Sequence, residues 1–112
     1  MENRKENWKY FITHYPKAHE AYTAFGKALE EETSLDKRTS ALIKVGIAAA
    51  SQYDYALRSH IEKALRAGCT PNEVEHAILL TATTAGFPRM MAALLIFREE
   101  VKKEEVKKEG EK

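Results

Sequence analysis

One cysteine, one tryptophan, three prolines and five glycines are all that 112 residues hold of those types. The single thiol, Cys69, has no partner for an intrachain disulfide and gives no metal-ligand spacing, which predicts a reducing compartment, the cytoplasm. Long apolar runs are missing too. The longest mainly apolar stretch, Met90 to Phe97, is far short of the roughly 20 residues that a membrane-spanning helix needs. The opening MENRKENWKYF is charged throughout and lacks the apolar centre of a secretory signal. Nor is there an excess of charge of one sign. Eighteen Lys+Arg against seventeen Asp+Glu leave a net charge of +1, so neither nucleic acid nor a membrane surface is an expected partner.

What is present is helical periodicity, and no stretch reads as a strand. A first helix is predicted over about 6–14, with Trp8, Phe11, Ile12 and Tyr15 on one face. Pro16 opens a second, where its missing N–H costs nothing, running to about Glu32 with Ala18, Tyr22, Phe25 and Leu29 inward. Ser34 or Asp36 can cap a third, Lys37 to Ser51, whose VGIAAAS segment suits close approach of another helix. The fourth covers Tyr53 to Ala67 and ends at Gly68, the left-handed residue past a helix C-terminus. TPNE then spells a capping box: Thr70 at the cap, Pro71 first, Glu73 third, opening a fifth helix to about Thr84. AGFP breaks it, and a last helix from Pro88 or Arg89 runs into the charged tail FREEVKKEEVKKEGEK, where it frays. The prediction is an all-α single domain, residues 1–112, of about six helices without repeat or linker. The segment from Ala77 to Phe97 is apolar or small almost all round, more than a small bundle can cover, which predicts a homo-oligomer.

His60 is the residue that helical spacing singles out. Tyr53, Ala56, His60 and Ala64 share a face of the fourth helix, so the ring is flanked by small residues, while Arg58 points nearly the opposite way. Histidine titrates near neutral pH and can move a proton to or from a bound small molecule, with the Tyr53 hydroxyl nearby to assist. The same spacing also fits a partly buried histidine whose nitrogens bond a carbonyl or water.

LDKRTSALIKVGIAAASQYDYALRSHIEKALRAGCTPNEVEHAILLTATTAGFP, within about 35–97, resembles the carboxymuconolactone decarboxylase family, which includes the alkyl hydroperoxidase D-like proteins. The resemblance lies in a Leu-Asp-x-x-Thr helix start, a small-residue helix, and the arrangement SH-x-x-x-AL-x-AG-x-TP-x-E, followed by an apolar helix and a glycine–proline break. It implies an all-helical bundle assembled as a homotrimer or homohexamer. In the peroxidase branch a Cys-x-x-Cys pair precedes the histidine and a glutamate lies on the preceding helix. Those positions fall here on Tyr53, Ala56 and Ala41, which excludes dithiol peroxidase chemistry; His60 alone is kept. The decarboxylase branch does not depend on the thiols. It implies a cofactor-free lyase or isomerase on a small carboxylate or lactone, with His60 donating or accepting the proton and Tyr53 lining the pocket. Arg89, in the first turn after Pro88, is the candidate substrate-binding cation, aided by free N–H groups at the helix start; Arg38 and Lys44 read as solvated bases.

No metal is expected. His14, Tyr15 and His19 cluster around Pro16 without a carboxylate or thiol at ligand spacing, and His76 beside Glu75 reads as exposed. Two other classes stand beside the lyase. One is a binding or scaffolding oligomer that keeps the fold without the chemistry. The other is a one-cysteine peroxidase at Cys69, which lacks a resolving thiol and reads better as a small residue filling a turn.

Overall fold

The computed structural model describes residues 4–110. Six α-helices and one 3-10 turn make up the regular structure, with no strand among the described residues. The chain divides into two compact units, Met1–Ser34 and Leu35–Lys112. No helix among the described residues is long and apolar enough to cross a membrane.

The first unit is a helical hairpin, α1 (Arg4–His14) and α2 (Pro16–Glu32), with Pro16 in the opening turn of α2. Ring contacts hold it. Trp8 meets the edge of His19 at 5.3 Å and lies 5.7 Å from Phe11, while His14 stacks on Tyr10 at 3.9 Å. Both histidines have local polar neighbours: the Tyr10 carbonyl is 2.9 Å from His14 Nδ1, and the Thr23 hydroxyl is 3.3 Å from His19 Nε2. Tyr22, Phe25 and Leu29, predicted to face inward, are more than half exposed. A hairpin gives each helix only one flank to pack on, and neither α1 nor α2 has a buried residue.

The second unit contains α3 (Lys37–Ala50), α4 (Asp54–Arg66), α5 (Pro71–Leu79), the 3-10 turn Leu80–Thr83 and α6 (Phe87–Gly110). Local chemistry sets most of its boundaries. Asp36 caps α3 by accepting from the Thr39 amide at 2.7 Å. Gly68, at φ +98°, ends α4 in a Schellman motif: Cys69 N–H donates to the Ala64 carbonyl and Gly68 N–H to that of Leu65. The Thr70–Glu73 capping box is complete on both sides. Thr70→Ala is expected to cost about 1 kcal/mol in a urea melt, with Thr70→Ser near wild type; equal stability of all three would rule out the cap as a contributor.

α5 stops five residues earlier than predicted. The Thr81 hydroxyl donates to the Ile78 carbonyl at 2.6 Å, and the Thr81 carbonyl receives the amides of Thr84, Ala85 and Gly86. The chain thereby tightens into a 3-10 turn before Gly86, at φ +119°, redirects it into α6.

The core of this unit draws Val45, Ala48 and Ala49 from α3, Leu57, Ile61 and Ala64 from α4, Val74 and Ile78 from α5, and Met90, Ala93, Ile96 and Phe97 from α6. The alanines of α3 let α4 lie close, and α4 also packs against α5 and α6. That leaves α4 with one buried stripe and two flanking edges.

Candidate functional site

Leu57, Ile61 and Ala64 form the buried stripe of α4. On a helix of 3.6 residues per turn, His60 lies on one side of that stripe and Arg58 on the other, about 160° apart. The two edges do different work. Arg58 reaches α6, donating to buried Glu100 at 2.9 Å and to Glu99 at 3.0 Å. His60 lies on the other edge, half-buried, and its ring has no hydrogen-bond partner among the described residues.

Burial depresses the His60 pKa below its ordinary 6.5, and the charges of Lys63 and Lys44 depress it further. Both effects oppose a second positive charge on the ring. At neutral pH the imidazole is therefore uncharged and able to accept a proton. Lys44, set aside in the sequence as a solvated base, lies on α3 one turn beyond Ala41, and its field reaches His60. The signal available in the sequence was that spacing: Ala41, Lys44 and Ala48 at i, i+3 and i+7 share a side of α3.

Tyr53 is the residue that enters α4. Its side chain caps nothing, and it is 67% exposed. Before it comes Gln52 at φ 56°, a left-handed conformation that costs a non-glycine residue roughly 1–2 kcal/mol. Gln52 is held there because its N–H donates to the Ala49 carbonyl at 3.3 Å and that of Tyr53 to Ala48 at 3.1 Å, closing the end of α3. Arg89 comes to this same turn, where Nη1 donates to the Ala50 carbonyl at 2.8 Å. The fold thus brings Arg89 and Tyr53 to one turn, with His60 two helical turns beyond Tyr53, about 10 Å along the axis.

The positions that carry thiols and a carboxylate in the peroxidase branch hold only a phenol and two methyl groups, those of Ala56 and Ala41 packing against the core. Cys69 is buried, and its thiol donates to the Arg38 carbonyl at 3.6 Å, at the opposite end of α4 from Tyr53. Arg38 is itself engaged, one guanidinium nitrogen lying 2.5 and 2.6 Å from the two oxygens of Glu73. The Thr70 amide first, then Arg38, hold Glu73 below the ordinary carboxylate range. Two shallow clefts run along α6. One of about 450 Å³ is bordered by Glu99, Lys102, Lys103 and Val106, and one of about 520 Å³ includes Glu75, Leu95 and Arg98. Neither is lined by His60, Tyr53 or Arg89.

Comparison with known proteins places this geometry in context. The family model described as the carboxymuconolactone decarboxylase family matches residues 16–99. A curated relative from Paracoccus denitrificans, described as uncharacterized protein 4 in cox locus, is 33% identical over 63 residues, which are 56% of this chain and 57% of that protein. The chain is thus matched to little more than half the length of that relative.

Proposed function

The chain belongs to the carboxymuconolactone decarboxylase family, and from that premise we propose that it is a cofactor-free lyase or isomerase acting on a small organic acid or lactone. His60 is the proton-transfer group. The observation that carries this reading is a half-buried imidazole, unbonded and held neutral, beside small side chains on a packed helix. In the lyase form a carbon–carbon bond to a carboxylate breaks, carbon dioxide leaves, and the electron pair stays on carbon. His60 first takes up a proton from solvent, delivers it to that carbon and returns to the neutral ring. In the isomerase form the neutral ring takes a proton from carbon next to a carbonyl and returns it at another position. Arg89 spends one donor on Ala50 and keeps others for an anionic substrate, and Tyr53 lines the approach.

The working unit in this proposal is a cytoplasmic homo-oligomer, a trimer or hexamer. Phe87, Met91 and Leu95, at i, i+4 and i+8 of α6, are each about half or more exposed and would be covered by another copy. A second reading, a non-catalytic binding or scaffolding oligomer, draws on the position of the two clefts along α6, away from His60.

The test is a thermal-shift screen of small carboxylates, lactones and keto acids at fixed protomer concentration, comparing wild type with His60→Ala. A ligand at a hundred times its dissociation constant adds about 2.7 kcal/mol to wild type, and the expected shift is absent from the variant. Ligands found this way are then followed for deuterium uptake from solvent, which His60→Gln is expected to abolish. Stabilisation of both proteins alike, or undiminished exchange in His60→Gln, would exclude His60 as the reacting group.

A further inference from the structure

We infer that α2 of one copy docks, antiparallel, on the outer face of α3 of a second copy, so that each chain covers its neighbour's bare helix with its own hairpin. The inference rests on the homo-oligomer reading above and names a surface and a segment for it; it is independent of the chemistry at His60.

Each chain carries two apolar faces without cover. On α3, Ile43 and Ile47 lie opposite buried Val45, and both are exposed. Ser40 and Ala50 flank them, so the side of α3 turned away from the core is apolar or small and carries no charge. The outer face of a surface helix is ordinarily charged. On α2, Tyr22, Phe25 and Leu29, at i, i+3 and i+7, form a second stripe, with Ala18 one turn before Tyr22. Helix α1 reaches this stripe at Tyr22, 6.4 Å from Trp8, and Phe25 and Leu29 are more than half exposed.

Charge and register match the two faces to each other. Glu30, Glu31 and Glu32 close α2, where the helix dipole favours cations, and Lys37 and Arg38 open α3, where it favours anions. Each helix thus carries end charges that its own dipole opposes. Laid antiparallel with Phe25 beside Ile43, the same register brings Glu31 to Lys37, the Tyr22 ring over Gly46, and Ala18 to Ala50. Neither Glu31 nor Lys37 has an ion pair among the described residues. Like would be matched with unlike in charge, and large with small in volume.

A second copy is the occupant because both faces stay exposed within the single chain, and exchange of an identical element between copies supplies both at once. Reciprocal exchange buries, for side chains of these sizes, on the order of 700 Å² per chain, near the roughly 800 Å² per partner of a stable interface. A charge-free centre with aromatic anchors is also the composition of a homo-oligomer contact rather than of a transient one.

The experiment is cross-linking of full-length protein. Phe25→Cys and Ile43→Cys proteins, tagged to different lengths, are co-expressed and treated with a short bismaleimide; both positions are exposed, so neither substitution touches the core. Wild type, whose one thiol is buried, is the control. The mixed dimer is expected to exceed either same-variant dimer several-fold. The double variant Phe25→Cys/Ile43→Cys is expected to link between chains. As a second reading, Lys37→Glu is expected to weaken association about two- to fivefold, as for an exposed charge pair, and Lys37→Glu/Glu31→Lys to restore it. A bridged monomer from the double variant would overturn the exchange, since the hairpin would then cover its own α3. A predominant Ile43→Cys dimer would overturn it in favour of α3 against α3. An oligomer by light scattering with no mixed cross-link would overturn this docking and leave the homo-oligomer standing, whereas a monomer would overturn both.

Discussion

Arg58→Met is expected to remove about 3 kcal/mol of folding stability at neutral pH. The reason is the group that Arg58 leaves behind. Glu100, in the buried face of α6, is 1% exposed and is bonded by Arg58 at 2.9 Å and Lys103 at 3.2 Å. Burial by itself pushes this carboxyl up, but the hydrogen bonds and charges of Arg58 and Lys103 outweigh it and hold the group below its ordinary 4.5. Removing one partner of a buried pair costs about 3–5 kcal/mol, because the other charge stays desolvated. Lys103, with a side chain 65% exposed, remains as a partial counter-charge and keeps the loss near the lower bound.

The pH dependence has a definite sign. In wild type the depressed Glu100 pKa contributes stability above the unfolded value, and that contribution is lost as pH falls through the folded one. In Arg58→Met the carboxyl rises toward what burial alone dictates, so it protonates earlier and the deficit against wild type narrows in acid. Arg58→Met/Glu100→Leu is expected to recover most of the loss, since an apolar pair of similar volume replaces an ion pair at little cost. Urea melts at pH 7 and pH 4.5 read all three effects. A single variant within about 0.5 kcal/mol of wild type at pH 7 would show that the α4–α6 bridge contributes nothing net.

What the sequence made legible divides along the range of the interactions. The starts of α2, α3 and α5 and the end of α4 were readable because Pro16, Asp36, the Thr70–Glu73 box and Gly68 act on backbone within a few residues. The end of α5 was not, because Thr81 turns its hydroxyl back on the helix and the apolar periodicity carries straight through the 3-10 turn. Gln52 gave no sign of a left-handed residue, a role that glycine or asparagine usually announces. Arg89 read as an anion binder from its place at a helix start; its bond to Ala50, 39 residues away, is a tertiary fact.

Two adjacent residues of α4 are expected to behave in opposite ways, and the contrast separates packing from site. Ile61 is fully buried, and Ile61→Ala should cost about 2–5 kcal/mol from lost transfer energy and a residual cavity. The upper part of that range applies, because helices α3, α5 and α6 all pack on α4 and leave it little room to collapse. His60→Gln, one residue earlier, removes no hydrogen bond and only partly buried surface, so a change of about 0.5 kcal/mol is expected at pH 7.5. Its signature is pH. Because the His60 pKa is depressed on folding, wild type loses stability as pH falls from 6.5 through the folded value, whereas His60→Gln has no such group. The variant should therefore gain on wild type between pH 7.5 and 5, and Ile61→Ala should run parallel to wild type throughout. Thermal melts at the two pH values decide the matter. If His60→Gln melted as low as Ile61→Ala at both, the imidazole would be a packing group, and α4 would have no free ring to offer a substrate.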